Sequence, residues 1–164
     1  MAVSIIDGTV ESVELRRTGP GIILYKKIVF RLPSGETRTI LKPISHANLG
    51  PHLAPGSSGR FYLFSAIDHR GVHGVRTSGG VAVQAHPKNN ERIAVVLTIL
   101  GPVMLLGFLF LLDRLSIWAL ILLILGPLLW VTNRKVRIEG ERQFAADQGA
   151  APAVVAPPAG AGNA

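Results

Sequence analysis

The chain contains no cysteine, which excludes disulfide staples, thiolate nucleophiles and Cys-ligated zinc sites and is compatible with a reducing cytosol. It also contains no GxxxxGK[ST], HExxH, GxSxG or GxGxxG pattern. Phosphate cradling, zinc proteolysis, the serine elbow and dinucleotide binding therefore lack their usual sequence support. Residues 1–19 show no apolar core between a basic start and a small-residue cleavage site, so no export signal is expected there. Charge is sparse at 16% of 164 residues, and none falls in 93–112 or 115–132.

Those two uncharged runs, of 20 and 18 residues, organise the reading. At about 1.5 Å rise per residue each nearly matches a hydrocarbon core of about 30 Å, and only Asp113 and Arg114 part them. A two-helix transmembrane hairpin is predicted. Each run carries a Gly-Pro pair, Gly101-Pro102 and Gly126-Pro127, where proline deletes the backbone bond to the residue four back and kinks the helix. Folding back about Asp113 and Arg114 sets Gly101 opposite Gly126. Ala94 and Gly101, like Ala119 and Gly126, are seven apart, a small-residue spacing that allows close helix approach. Gly101, Pro102, Ala119, Gly126 and Pro127 are the expected packing positions. Trp118 and Trp130 suit the two interfaces. No ionisable side chain interrupts either run, which favours an anchor or assembly surface over a conduit.

Lys88 and Arg92 precede the first run, and Arg134, Lys135 and Arg137 follow the second. By the bias of basic loops both ends face the cytoplasm and the turn faces outward, in a multi-pass protein of a cell inner membrane. These five cations are the expected membrane-surface residues.

Before the hairpin the pattern is β. Residues 5–17 alternate with a slip near Glu11 and Ser12, the mark of a bulge, and 22–32 return after the turn Thr18-Gly19-Pro20-Gly21 with Ile22, Leu24, Ile28, Phe30 and Leu32 on one face. Residues 37–41, 60–67 and 72–76 continue the series, with an extension at 81–83. Residues 43–58 read as a crossover loop in which Ser45 caps one helical turn. The fold class expected is α+β: a small antiparallel β-barrel, OB-like or SH3-like, over 1–87; the hairpin over 88–137; and over 138–164 a cytosolic extension of the second helix and a disordered Ala/Pro/Gly tail.

The function expected is non-catalytic, the barrel being presented at a membrane for protein or lipid binding or self-association, with no cofactor. The barrel region is basic, with 12 Lys and Arg against 6 Asp and Glu over residues 1–92, so Arg16, Arg17, Lys26, Lys27, Arg31 and Arg38 are candidates to face an anionic leaflet. Two alternatives belong to other classes. Asp68, His69 and His73 bracket one turn and His46 and His52 lie in the crossover, a loose histidine set for a metal-dependent enzyme; the bland reading is solvated turn histidines. Tyr25, Phe61, Tyr62 and Phe64 on a basic barrel echo a single-strand nucleic-acid surface. Alternation divides Phe61 and Leu63 from Tyr62 and Phe64, however, so at least one set must be core.

Overall fold

The computed structural model describes residues 2–67, 69–87, 89–112 and 116–147. Asp68, Lys88, the turn at Asp113 and Arg114, and the tail beyond residue 147 lie outside the described residues.

Seven strands and two helices follow one another: β1 (Ala2–Gly19), β2 (Ile22–Arg31), β3 (Thr37–Leu41), β4 (Ile44–His46), β5 (Ser58–Ser65), β6 (Arg70–Thr77), β7 (Ala82–Gln84), α1 (Asn89–Leu112) and α2 (Ile117–Ala146), with a 3-10 helix over Ala47–Leu53 between β4 and β5. Strands β1, β5, β6, β4 and β2 neighbour one another in that order, and β2 returns to β1, closing a five-strand barrel; β3 extends β2, and β7 pairs with β6. The register of β1 on β2 skips Glu11 between Val10 and Ser12, the bulge that the broken alternation predicts. It lets β1 turn from β5, which it pairs over Ala2–Thr9, to β2, which it pairs over Thr9–Gly19.

The expectation of a purely antiparallel barrel needs correction, because β4 runs parallel to β6. Closure there demands close backbone approach. A Cβ on Gly71 would strike the Ile44 carbonyl, so glycine is what lets β6 lie against β4. The crossover is also more ordered than a loop. Ser45 belongs to β4 and is fully buried, its hydroxyl donating to the Tyr25 hydroxyl at 3.3 Å. The cap is His46, whose Nδ1 accepts from the Asn48 amide at 3.3 Å.

Ile6, Val10, Tyr25, Ile28, Phe30, Phe61, Leu63, Val72 and Val75 form the barrel core, joined by Leu49 and Leu53 of the 3-10 helix. Along β2, Tyr25 takes the inward place expected of Leu24, and Lys26 and Lys27 are both exposed before Ile28 and Phe30 turn inward again. The change of phase falls beside the irregular pairing of Glu14 to Arg17 in β1.

α1 and α2 are long and apolar enough to cross a membrane, and only 11% and 22% of their most apolar windows are buried within the chain. That exposure separates them from the core helices of a soluble domain, whose apolar faces are covered. Leucine, isoleucine and phenylalanine face outward, including Phe110 and Leu111.

Candidate functional site

The helices meet through their small residues, but one turn away from the pairing that a fold about Asp113 and Arg114 implies. A Cβ on Gly101 would come within 2.7 Å of the Leu123 nitrogen, and one on Gly126 within 2.6 Å of the Thr98 nitrogen. Each glycine thus presses on the backbone of the other helix, and Gly101 does not face Gly126. The contact is reciprocal. Pro102 frees the carbonyl of Thr98 and Pro127 that of Leu123, so each glycine lies against the residue that the other helix's proline deprives of a bond. Ala94 and Ala119 are buried in the same seam, whereas a side chain on Gly107 would meet nothing within 4 Å.

α2 does not stop at the end of its apolar stretch. It continues as one helix to Ala146, burying Val136, Gly140 and Phe144 at steps of four, which places them on one face. That face lies on the outer side of β5 and β6. The Phe144 ring meets Tyr62 edge-on at 4.8 Å between centroids, and the Arg76 guanidinium sits 4.4 Å from the same ring while donating to the Phe144 carbonyl at 3.1 Å. Gly74 leaves the space Phe144 occupies, since a Cβ there would fall 2.7 Å from its Cδ2.

Asp147, which ends α2, accepts two bonds of 2.8 Å from Arg60 Nη1 and one from the Tyr62 hydroxyl, while Arg60 also donates to Asp7 at 2.7 and 3.1 Å. Two carboxylates on one guanidinium push its pKa further up. The Tyr62 hydroxyl and Arg60 in turn hold the Asp147 carboxyl below the usual range, and burial, then the Asp147 carboxylate, pushes the Tyr62 hydroxyl up to about 12.

Both faces of β5 are therefore covered, Phe61 and Leu63 by the barrel interior and Tyr62 by α2. Tyr25, Phe61, Tyr62 and Phe64 are each at most 3% exposed, so these four rings offer no solvent-facing stacking platform. Three of the six barrel cations are engaged in ion pairs: Lys26 and Lys27 with Glu14 at 2.7 and 3.8 Å, and Arg31 with Glu11 at 2.6 Å. Such exposed pairs stabilise little, but Glu11 and Glu14 offset part of the positive charge on this surface.

The histidines divide differently from their order in the chain. His73 lies in mid-strand, within the expected 72–76 run, and is 1% exposed rather than solvated. Its ring neighbours Tyr62, Phe64 and His86, and Gly140 of α2 lies directly on its Nε2, which has no hydrogen-bond partner among the described residues. Burial pushes the His73 pKa down to about 4. His69 stands edge-on to Phe64 at 5.3 Å. His46 caps the 3-10 helix, and His52 lies near its end. Among the described residues no three His, Asp or Glu side chains converge as a metal site requires.

Of the cations that flank the two apolar runs, Arg137 is held in place: it donates to Glu91 at 2.9 and 3.2 Å and to Glu141 at 3.1 Å. Glu91, then Glu141, pushes its pKa up. The pair with Glu91 ties the start of α1 to α2 just past the apolar stretch. Arg134 and Lys135 are exposed, Arg134 lying 5.5 Å from the Trp130 ring. No protein family, curated protein or solved structure matches this chain.

Proposed function

We propose that the chain is a non-catalytic integral membrane protein whose hairpin crosses the bilayer, holding a basic β-barrel at its cytosolic face to bind lipid or protein. The observation that carries this reading is the continuity of α2, which runs from an exposed apolar stretch into a charged, barrel-docked stretch without a break. A helix that fixes a folded domain in this way acts as a mount, which a flexible tether would not.

The flanking charges set the orientation. Arg92, Arg134, Lys135 and Arg137 lie at the barrel end of the helices, and the positive-inside bias puts that end, with both termini, in the cytoplasm. A cell inner membrane suits this arrangement. The strand order favours an OB-type barrel over an SH3-like one, since a 3-10 helix separates the third and fourth barrel strands and the parallel pair β4 and β6 closes the barrel.

Reporters at residue 2 and at residue 164 test the topology, and both are expected to signal the cytoplasm, while one between Asp113 and Arg114 signals the exterior. An interior signal from the turn insertion would replace the spanning hairpin with a re-entrant wedge. Release of the full chain from membranes by alkaline carbonate would refute membrane integration altogether.

A further inference from the structure

The barrel and the base of the helices enclose a cleft of about 490 Å³, lined by Gly21, His46, His86, Arg92 and Glu141 among others. A more apolar groove of about 530 Å³, lined by Glu91, Arg92, Val95, Val96 and Arg137, shares Arg92 with it. Val95 and Val96 are exposed at the start of the apolar stretch. One arginine thus stands between a polar chamber and an apolar trough leading along α1.

The charges in this region are divided in a specific way. Arg137 is a single cation shared by Glu91 and Glu141, which leaves one carboxylate charge uncompensated. Arg92 is exposed and makes no ion pair among the described residues. His46 accepts the Asn48 amide through Nδ1, so its neutral tautomer carries the proton on Nε2, which stands beside Gly21 at the cleft lining, 3.9 Å from where a Cβ on that glycine would lie. The cleft therefore offers donors to an anion at Arg92 and His46, and a carboxylate to a cation at Glu141.

We infer that the cleft binds the headgroup of a zwitterionic phospholipid bearing a primary ammonium, with its phosphate on Arg92 and His46, its ammonium on Glu141, and the start of an acyl chain along Val95 and Val96. The inference rests on the membrane reading and names the lipid class for it. An anionic glycerol headgroup would satisfy Arg92 but place its hydroxyls, and no cation, at Glu141. Inorganic phosphate would face that carboxylate directly, and neither it nor soluble phosphoethanolamine would use the apolar trough. A zwitterionic lipid matches both signs and the groove together.

Native mass spectrometry of the full chain in mild detergent, with phosphatidylethanolamine and phosphatidylglycerol at equal concentration, tests this. Phosphatidylethanolamine is expected to be retained about tenfold more strongly, the effect of one additional charge-assisted hydrogen bond. Arg92→Gln weakens retention of both lipids. Glu141→Gln abolishes the preference, and Glu141→Asp, which keeps the carboxylate, restores it. Should Glu141→Gln lose its helical circular dichroism, Arg92→Gln decides alone, since Arg92 makes no ion pair among the described residues. Equal retention of both lipids by the parent chain, or retention unchanged in Arg92→Gln, overturns the site. Displacement of the lipid by inorganic phosphate or by phosphoethanolamine at the lipid's own concentration overturns the lipid assignment in favour of a soluble ligand. A chain that withstands carbonate extraction yet shows no lipid selectivity refutes this site and leaves the membrane reading intact.

Discussion

Phe144→Ala isolates the attachment of α2 to the barrel, because Phe144 reaches the β5 and β6 surface from the last turns of the helix and is 7% exposed. Truncating a buried phenylalanine costs about 3–5 kcal/mol. Phe144 lies close to a helix end that can relax, so the lower figure applies. That figure already contains the edge-on contact with Tyr62, about 0.5–1.5 kcal/mol, and the Arg76 guanidinium over the ring, about 0.5–1 kcal/mol. At about 1.4 kcal/mol per factor of ten, a loss of about 3 kcal/mol raises the open population of this helical end by roughly a hundredfold. Amide hydrogen exchange on the full chain in detergent reads this directly. Protection over residues 140–146 should fall by roughly that factor, while β5 and β6, whose amides are held by their neighbouring strands, keep most of theirs. Unchanged exchange at 140–146 would show that the helix end is held elsewhere. An equal loss throughout the barrel would show that docking and barrel stability are one cooperative unit and would refute a separately held helix end.

His73 titrates in the direction of acid lability: its pKa is about 4 when folded against 6.5 in an open chain, so the unfolded state binds more protons between those values. Stability contributed by neutral His73 is present above pH 6.5 and is lost as pH falls toward 4, by about 3 kcal/mol in all; thermal melts at pH 7.5 and 5 should differ in the parent chain and differ less in His73→Phe. Asp147→Asn leaves Arg60 with Asp7 alone and removes a charged acceptor from Tyr62, costing about 1–3 kcal/mol and moving the Tyr62 pKa downward, which an ultraviolet titration follows; no change in that titration would remove Asp147 from the Tyr62 environment. In the hairpin, Gly126→Leu should disrupt packing and Gly107→Leu should not, as read by thermal stability in detergent. A cysteine pair at 105 and 119, the next positions along the seam that joins 101 to 123 and 98 to 126, should crosslink in this cysteine-free chain because Cα atoms within about 7 Å are required; crosslinking at 105 with 122 instead would restore the register centred on Asp113 and Arg114.

Much of the barrel was legible because half-buried strands alternate. Residues 5–17 even betrayed the bulge at Glu11, since a one-residue insertion flips every later side chain. β4 was not legible: its three residues follow Pro43 and precede Ala47, too short for any period, and its parallel partner is far along the chain, Ile44 pairing with Gly71 and Ser45 with Val72. Alternation separates Tyr62 and Phe64 from Phe61 and Leu63, but the cover of Tyr62 is Phe144 of α2, far along the chain, and Phe64 packs against His69, His73 and His86. The steps of four from Val136 to Gly140 to Phe144 were the available signal, diluted by the charged residues between them. The small residues of the hairpin were readable from spacing alone. Their register was not, because a shift of one turn leaves the same residues small and the same faces apolar. The run 72–76 places His73 in its strand but does not reveal its burial, because the cover comes from His86 and from Gly140 of α2, both outside that run.

α2 is about 45 Å long at 1.5 Å per residue, and its far end is bolted to the barrel through Phe144 and Asp147. On the membrane reading it behaves as a shaft with one joint, at Pro127. A bilayer that is thinner or thicker than the apolar stretch is accommodated by helix tilt, and tilt of a shaft swings whatever is fixed to its end. The barrel's pose over the surface, and hence which of its side chains meet the headgroups, is then set partly by the thickness of the membrane below it.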